Sequence, residues 1–368
     1  MSGTSLGSVD YALCRIGGND GVTLEDLWTA TFPPVLEARL QAAARGDAST
    51  HQLAQLHHDL GRFYATHARK AGRARLPLRG AGLHGLTVFH NPDRKRPATL
   101  QIGEPAYLAR ALGVPVVNNF RAADLAVGGQ GAPLATGFHV CLFGRRGAHV
   151  CVNNLGGISN VTSIDRRRGR TPRVLAFDTG PANVLLDLAM RHFTAGRQTY
   201  DRGGCWAATG QVNETLLSEW LRHPFFARRP PKSTGREVFG EPFLARVLRE
   251  ARAERLSPRG TVATLTAFTA RSLALNYRRH LPAAPDQVIL TGGGAENPTL
   301  VAAIRRALSE GGKPTRVCTS AELGWPSQAI EPAAFAWLAW RRLRGRSGHL
   351  PETTGAERAV LLGQVTEL

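Results

Sequence analysis

Hydrophobic and polar residues alternate along Val9–Ile16 up to a Gly17-Gly18-Asn19-Asp20-Gly21 turn, and this two-residue period predicts a strand. The period then lengthens. Pro34–Arg45 and Ser49–Lys70 read as helices; in the second, Leu53, Leu56, Leu60 and Phe63 recur every three or four residues as one apolar face, with Ser49-Thr50 as its start. Short apolar runs follow at Leu83–His90 and Val114–Val117, while Gly128-Gly129-Gln130-Gly131 is too rich in glycine for either regular element. Strands are predicted at Val140–Phe143, His149–Asn153, Ile158–Ile164 and Val174–Phe177. Helices dominate next, at Ala182–Arg191, Phe243–Ala253 and Val262–Leu281. Gln287–Leu290 reads as a buried strand ending in Thr291-Gly292-Gly293-Gly294. A helix, a strand at Thr315–Thr319 and a C-terminal helix at Glu331–Arg344 complete the pattern. Hairpins mixed with strand–helix alternation predict α/β sheets in two domains, and 368 residues are enough for two.

Composition adds exclusions. With 43% hydrophobic and 20% charged residues the chain is an ordinary globular one. No run approaches the roughly 18 apolar residues of a membrane span, and the opening MSGTSLGSVD has no basic segment before an apolar one. A cytoplasmic protein is the expectation. The net charge of +18 invites a polyanion partner. Yet only Lys70, Lys95, Lys232 and Lys313 among the 46 basic residues are lysines. The arginines are spread along the whole chain, and no nucleic-acid-binding motif accompanies them. The densest cluster, Arg166-Arg167-Arg168-Gly169-Arg170, lies between two apolar runs and reads as a hairpin tip. A nucleic-acid partner is therefore not expected. Cys14, Cys141, Cys151, Cys205 and Cys318 have neither C-x-x-C nor zinc spacing, and most sit in apolar runs as reduced core residues; no disulfide or structural metal is expected.

Candidate chemistry gathers at three glycine-rich stretches: Ser2-Gly3-Thr4-Ser5, Asp178-Thr179-Gly180-Pro181 and Thr291-Gly292-Gly293-Gly294. Glycine lets backbone amides approach phosphate oxygens, and hydroxyls add donors, so together the three point to a nucleotide. None is a P-loop. Asp178 follows an apolar run, where a carboxylate can serve as a general base; the local sequence leaves equally open that it caps a helix starting near Asn183. Glu331 opens the C-terminal helix, as acids often do. His84 and His90 flank an apolar stretch, either against a polar substrate or as structural histidines. Pro230-Pro231-Lys232-Ser233-Thr234-Gly235-Arg236 reads as a loop rich in donors.

These motifs, in this order, resemble the anhydro-N-acetylmuramic acid kinase family. The resemblance rests on Met1-Ser2-Gly3-Thr4-Ser5-Leu6, His84-Gly85 with Thr87, Thr99–Gly103, Phe120-Arg121 with Asp124, and Gly128–Leu134 as the most specific signature. Asn154–Asn160, Phe177–Asn183, Pro231–Glu237, Gly292–Gly294 with Asn297-Pro298, Glu331–Ala339, and Leu350-Pro351 with Thr354–Ala356 extend it to about residue 363. It implies a two-domain sugar kinase/actin-like (ribonuclease H-like) α/β fold around a central cleft. Residues 1–126 with about 330–368 would form one domain on the sugar side, and 127–329 the ATP-binding domain. It further implies that ATP and water convert 1,6-anhydro-N-acetylmuramic acid into N-acetylmuramic acid 6-phosphate in cell-wall recycling. Asp178 would be the base and Glu331 would assist at the same water. Gly3, Thr4, Ser5, Asp10, Gly157, Thr179, Gly180, Gly292, Gly293, Gly294 and Asn297 would face ATP and its Mg2+. His84, Arg121, Gln130 and Asn154 would face the sugar. Family members often form homodimers.

The departures fall largely on acidic positions. Gly7-Ser8 stands where the family has Asp-Gly, an acid that helps organise magnesium and phosphate; Asp10 is the nearest acid left. Asn119, Gly203 and Gln328 also replace family acids, and Leu86 replaces a Gln. The family's opening loop follows a strand of about ten residues, whereas Met1 here is already in the loop. The sequence thus fits an active kinase on this or a related anhydro-sugar, or a non-catalytic relative that binds sugar or nucleotide.

Overall fold

The computed structural model describes residues 1, 7–73, 77–93, 95–167, 171–310 and 314–368. It divides into two compact units, Met1–Leu142 with Gln328–Leu368, and Phe143–Ser327.

In the first unit, strands β1 (Ser8–Ile16) and β2 (Val22–Thr31) form an antiparallel hairpin. Two short strands, β3 (Ala81–Gly82) and β4 (Leu86–Asn91), precede β5 (Ala98–Ile102) and β6 (Val116–Asn118). β4 pairs with β5, and β3 runs parallel to β6. The helix Thr50–Ala68 begins where its sequence predicts. Ser49 accepts from the Gln52 amide and Gln52 answers with its side chain, a reciprocal cap. Its apolar face, Leu56, Leu60 and Tyr64, is buried beside Leu40, Leu86 and Ile102. The expected strand at Val140–Phe143 is instead the end of a helix, Thr136–Phe143. Phe138 and His139 are buried along with Phe143, and a run apolar on several sides carries no period that separates a buried helix from a strand.

The second unit is built on one five-stranded sheet. β7 (His149–Leu155), β8 (Ile158–Asp165) and β9 (Arg173–Pro181) form an antiparallel meander. β10 (Gln287–Thr291) and β11 (Arg316–Thr319) continue the sheet parallel to β7, in the order β11-β10-β7-β8-β9. Three antiparallel strands followed by two parallel to the first, with a helix (Pro298–Ser309) joining the last two, is the ribonuclease H-like topology expected of a sugar kinase/actin-like domain. Val150, Cys151, Val152 and Leu155 on central β7 are all buried, so its sequence reads as a continuous apolar run. One core lies among β7, β9, β10 and the helices Pro258–His280 and Pro298–Ser309. A second is aromatic, around Trp220, Phe226, Phe239, Phe243 and Phe268. The arginine cluster lies at the β8–β9 turn; Arg168, Gly169 and Arg170 are outside the described residues.

The last strand, β12 (Gln364–Thr366), returns to the first unit and pairs with β6. All five cysteines are free; Cys151 and Cys318 are buried, but Cys205 is exposed at a helix start and Cys141 lies on a helix. Among the described residues no helix is long and apolar enough to cross a membrane.

Candidate active site

The second unit gathers its candidate residues at one end of the sheet, where β7, β9 and β10 finish and β8 begins. Ligands of open α/β sheets collect at such strand ends. Gly292 directly follows β10 with φ +75°, and a Cβ there would overlap Asn154 Oδ1 and lie 3.0 Å from the Leu155 carbonyl. A side chain fails on both counts. Gly292→Ala is expected to destabilise this unit by more than about 1 kcal/mol, read as a lower urea midpoint. A Cβ at Gly294 would run into Leu155 and Asn183, whereas one at Gly293 would come no closer than 3.9 Å to Asn183 Nδ2. Gly293 is thus the open point of the loop. Asn183, named in the sequence only as part of a motif, donates to the Leu155 carbonyl at 2.9 Å and ties the loop's floor together.

Several expected ligand groups are already engaged within the fold. The Gly157 carbonyl accepts from the amides of Ala182 and Val184, and that of Gly156 from Asn183, so this turn satisfies the first donors of the helix Asn183–Phe193. Asn297 Oδ1 caps the helix Pro298–Ser309 through the Leu300 amide. Thr179 is fully buried, its hydroxyl donating to Ser159 Oγ at 2.6 Å. Asn154 belongs to the second unit, its Oδ1 against the Gly292 loop; His84, Arg121 and Gln130 belong to the first.

Asp178 lies near the end of β9, half-buried. It does not cap the helix near Asn183. Its Oδ2 accepts from the Thr234 amide at 2.8 Å, and its own amide donates to the Lys232 carbonyl at 3.1 Å. The loop 230–236 thereby clamps it from two sides, a role for Thr234 that the loop sequence alone does not signal. Burial pushes the Asp178 carboxyl up to about 6; Glu237 adds to this, while the Thr234 amide and Lys232 oppose it. Lys232 is itself buried, its Nζ donating to the Phe225 carbonyl at 3.2 Å and standing 4.6 Å from the Phe225 ring. Burial brings its ammonium down to about 8.

In the first unit His84, Arg121 and Glu331 belong to one polar group. His84 Nδ1 lies 2.9 Å from the Gly85 carbonyl, which leaves Nε2 to accept from Arg121 Nη2 at 2.8 Å. Burial, then Arg121, hold this imidazole well below its ordinary value, so it is neutral. Arg121 Nη1 donates to the Gly131 carbonyl at 2.6 Å. Glu331, in the first turn of the helix Ile330–Leu343, is reached by solvent; desolvation by the surrounding protein raises its carboxyl, and Arg121 opposes that. Asp10 accepts from Thr29 Oγ1 at 2.6 Å. Gln130 is exposed, and its backbone N–H donates to the Thr354 carbonyl at 2.9 Å. His90 Nδ1 meets Thr99 Oγ1 at 3.1 Å. Behind the Gly128–Gly131 loop, buried Asp124 accepts from the Gly131 amide (2.5 Å), Thr354 Oγ1 (2.6 Å) and His349 Nε2 (2.5 Å). The expected phosphate residues Gly3, Thr4 and Ser5 lie outside the described residues. Among the described residues no three His, Cys, Asp or Glu side chains gather as around a metal.

Comparison with known proteins agrees with these motifs. The family profile described as anhydro-N-acetylmuramic acid kinase matches residues 1–367. An anhydro-N-acetylmuramic acid kinase of Acaryochloris marina is 42% identical over 375 residues, covering 99% of this chain and 98% of that one. Kinases of the same name from Crocosphaera subtropica and Synechocystis sp. are each 40% identical, covering 99% of this chain and 97% of theirs. Among solved structures, a ROK family glucokinase from Streptomyces griseus, in complex with glucose and AMPPNP, is 14% identical with a TM-score of 0.38, covering 91% of this chain and 97% of that one. The profile match along the chain and relatives of this identity and coverage mean that the chain belongs to the anhydro-N-acetylmuramic acid kinase family.

Proposed function

We propose that this chain is an ATP-dependent kinase of the cytoplasm that converts 1,6-anhydro-N-acetylmuramic acid and water into N-acetylmuramic acid 6-phosphate, releasing ADP, in cell-wall recycling. The observation that carries the reading is Asp178, a half-buried carboxylate in a family kinase, fixed by the Thr234 amide and pushed up to about 6 by burial. A general base works best when its pKa lies close to the working pH. Asp178 takes a proton from water as the oxygen attacks the anomeric carbon. The 1,6-anhydro bridge opens, and the freed 6-oxygen attacks the γ-phosphorus of ATP. Glu331 is the assisting carboxylate. Cationic Arg121, oriented by its hydrogen bond to neutral His84, is suited to the sugar's carboxylate, and His84 is assigned to the sugar side through it. Gln130 and Asn154 are assigned to the sugar as well. Gly292–Gly294, with open Gly293, is assigned to the nucleotide, together with the Gly157 turn, the Thr179-Gly180 backbone and Asn297.

Magnesium, when bound, neutralises charge developing on the transferred phosphoryl group. Gly7 offers no side chain for it, and Asp10, with one oxygen held by Thr29, is the acid in this chain that would hold it. Such a donor set fits an ion carried mainly by phosphate and water. The partners in this reading are the sugar, ATP and a second copy of the chain in a homodimer.

The test is mass-spectrometric detection of N-acetylmuramic acid 6-phosphate from the sugar, ATP and magnesium; a folded protein that binds the sugar but makes no product overturns the reading. A pH dependence follows as well. Because the Asp178 carboxyl is raised to about 6, the base is protonated and idle below that value. The turnover rate is expected to fall about tenfold per pH unit below about pH 5 and to level off above about pH 7, as a stopped assay across pH reads directly.

A further inference from the structure

β9 does not run regularly past its catalytic candidate. Asp178 pairs with Asn160 and Gly180 with Ser159, so Thr179 is one residue too many, a bulge. A bulge bends its strand and re-aims the side chains beside it. In a plain strand Asp178 and Gly180 would face the same side; here Gly180 takes φ +131° and presses on helix Pro258–His280, where a Cβ would lie 3.0 Å from Ser272 Oγ.

Two side chains pin the bulge. The Thr179 hydroxyl donates to Ser159 Oγ at 2.6 Å. The Thr179 carbonyl accepts from Asn276 Nδ2 at 2.8 Å, and the same Nδ2 donates to the Ser272 carbonyl, also at 2.8 Å, on its own helix. Asn276 is fully buried, and its Oδ1 finds no partner among the described residues. An unpaired buried acceptor is a standing cost that an aliphatic side chain would not carry. What Asn276 provides in return is its donor, spent on the bulge carbonyl.

We propose that Asn276 is a positioning residue for Asp178, acting through the carbonyl of the bulge residue Thr179. The proposal rests on the assignment of Asp178 as the base. Holding the 179–180 peptide fixes the rotation of the strand one residue after Asp178. The carboxylate is thereby kept against the Thr234 amide and half-buried, with Lys232 and Glu237 as its charged neighbours.

The test uses the whole chain and two readouts. Asp178 is titrated by ¹³C NMR of aspartate carboxyl carbons in the unliganded protein, its signal assigned by loss in Asp178→Asn. Turnover of the anhydro-sugar is followed against pH. In Asn276→Leu, similar in size but without the donor, the Asp178 titration is expected to fall by about one unit toward the ordinary carboxylate value as water enters. The acid limb of the rate profile should move with it. kcat should drop about 10-fold to 100-fold while KM for the sugar stays within about twofold. Thr179→Val, which puts a methyl in place of the hydroxyl, should shift both in the same direction, and Thr179→Ser should restore them. If Asn276→Leu does not fold, Asn276→Ala, smaller and equally without the donor, decides. Unchanged titration and rate profile in the folded variants overturn the proposal. A wild-type protein that turns over no sugar sinks the functional reading instead, and the NMR titration still judges whether Asn276 holds Asp178.

Discussion

Asp178→Asn is expected to lower kcat by about 10²-fold to 10⁴-fold, the range that a positioned general base contributes. Asparagine keeps the side chain's shape and an oxygen for the Thr234 amide, but it cannot take a proton. Stability should move the other way. The folded-state carboxyl is raised to about 6 chiefly by burial, so its ionised form is less welcome in the fold than in the unfolded chain. A group raised in this way favours the fold below its unfolded pKa and loses that contribution as pH rises through about 6. At pH 7 the neutral amide removes the unfavourable charge, and the thermal midpoint of the variant should equal or exceed that of wild type. Product formation and a thermal melt on the same preparation check both halves. A variant that keeps more than a tenth of the rate would place the base elsewhere.

The opposite pattern is expected at Asp124. This carboxylate is fully buried and receives three donors, from His349, Thr354 and Gly131. The Val360 amide points at His349 Nδ1 (3.4 Å), so the ring's proton sits on Nε2 and faces Asp124. In Asp124→Asn an amide NH2 would meet at least one of these donors head-on, leaving buried groups unpaired. Breaking a buried charged arrangement from one side costs about 3–5 kcal/mol. At about 2–4 °C per kcal/mol for a unit of this size, the midpoint should fall by about 6–20 °C. Burial raises the Asp124 carboxyl, but the hydrogen bonds from His349, Thr354 and Gly131 outweigh it and the net shift is downward. A lowered carboxyl contributes its stability above the unfolded value and loses it as pH falls through the folded one. The wild-type advantage over Asp124→Asn should therefore hold at neutral pH and shrink only in acid, on the low side of the ordinary carboxylate range. Chemical denaturation at several pH values measures this.

Much of the scaffold is legible in the sequence because its apolar residues keep period. Pro34–Arg45 is the observed helix to the residue, and β7, β8 and β9 appear where apolar runs alternate with turns. β2 escapes notice for a physical reason. Leu24 pairs with Cys14 and Asp26 with Leu13, so Glu25 is an extra residue that breaks the alternation mid-strand. The bulge at Thr179 hides its own consequence in the same way, because a hydroxyl in a glycine-rich turn reads as a phosphate donor until the added residue turns it inward. The ordered motifs name Asp178, Glu331 and the glycine loops as candidates. They are silent on Asn276, 97 residues from the carbonyl it holds and set in a long helix with no local pattern to single it out.

The way the chain is divided between the units bears on the order in which they can be built. The second unit is one continuous stretch, Phe143–Ser327, whereas the first is completed only by Gln328–Leu368. During synthesis the five-stranded sheet has all its strands before the ribosome reaches β12 or the helix bearing Glu331. Domains fold as units, N-terminal parts first where their contacts are complete. Here the order is reversed. The middle of the chain can settle first, while the earliest-made residues wait, partly folded, for the last. The first unit thus joins its two pieces across the entire middle of the chain, the contact of longest sequence separation in the assembly.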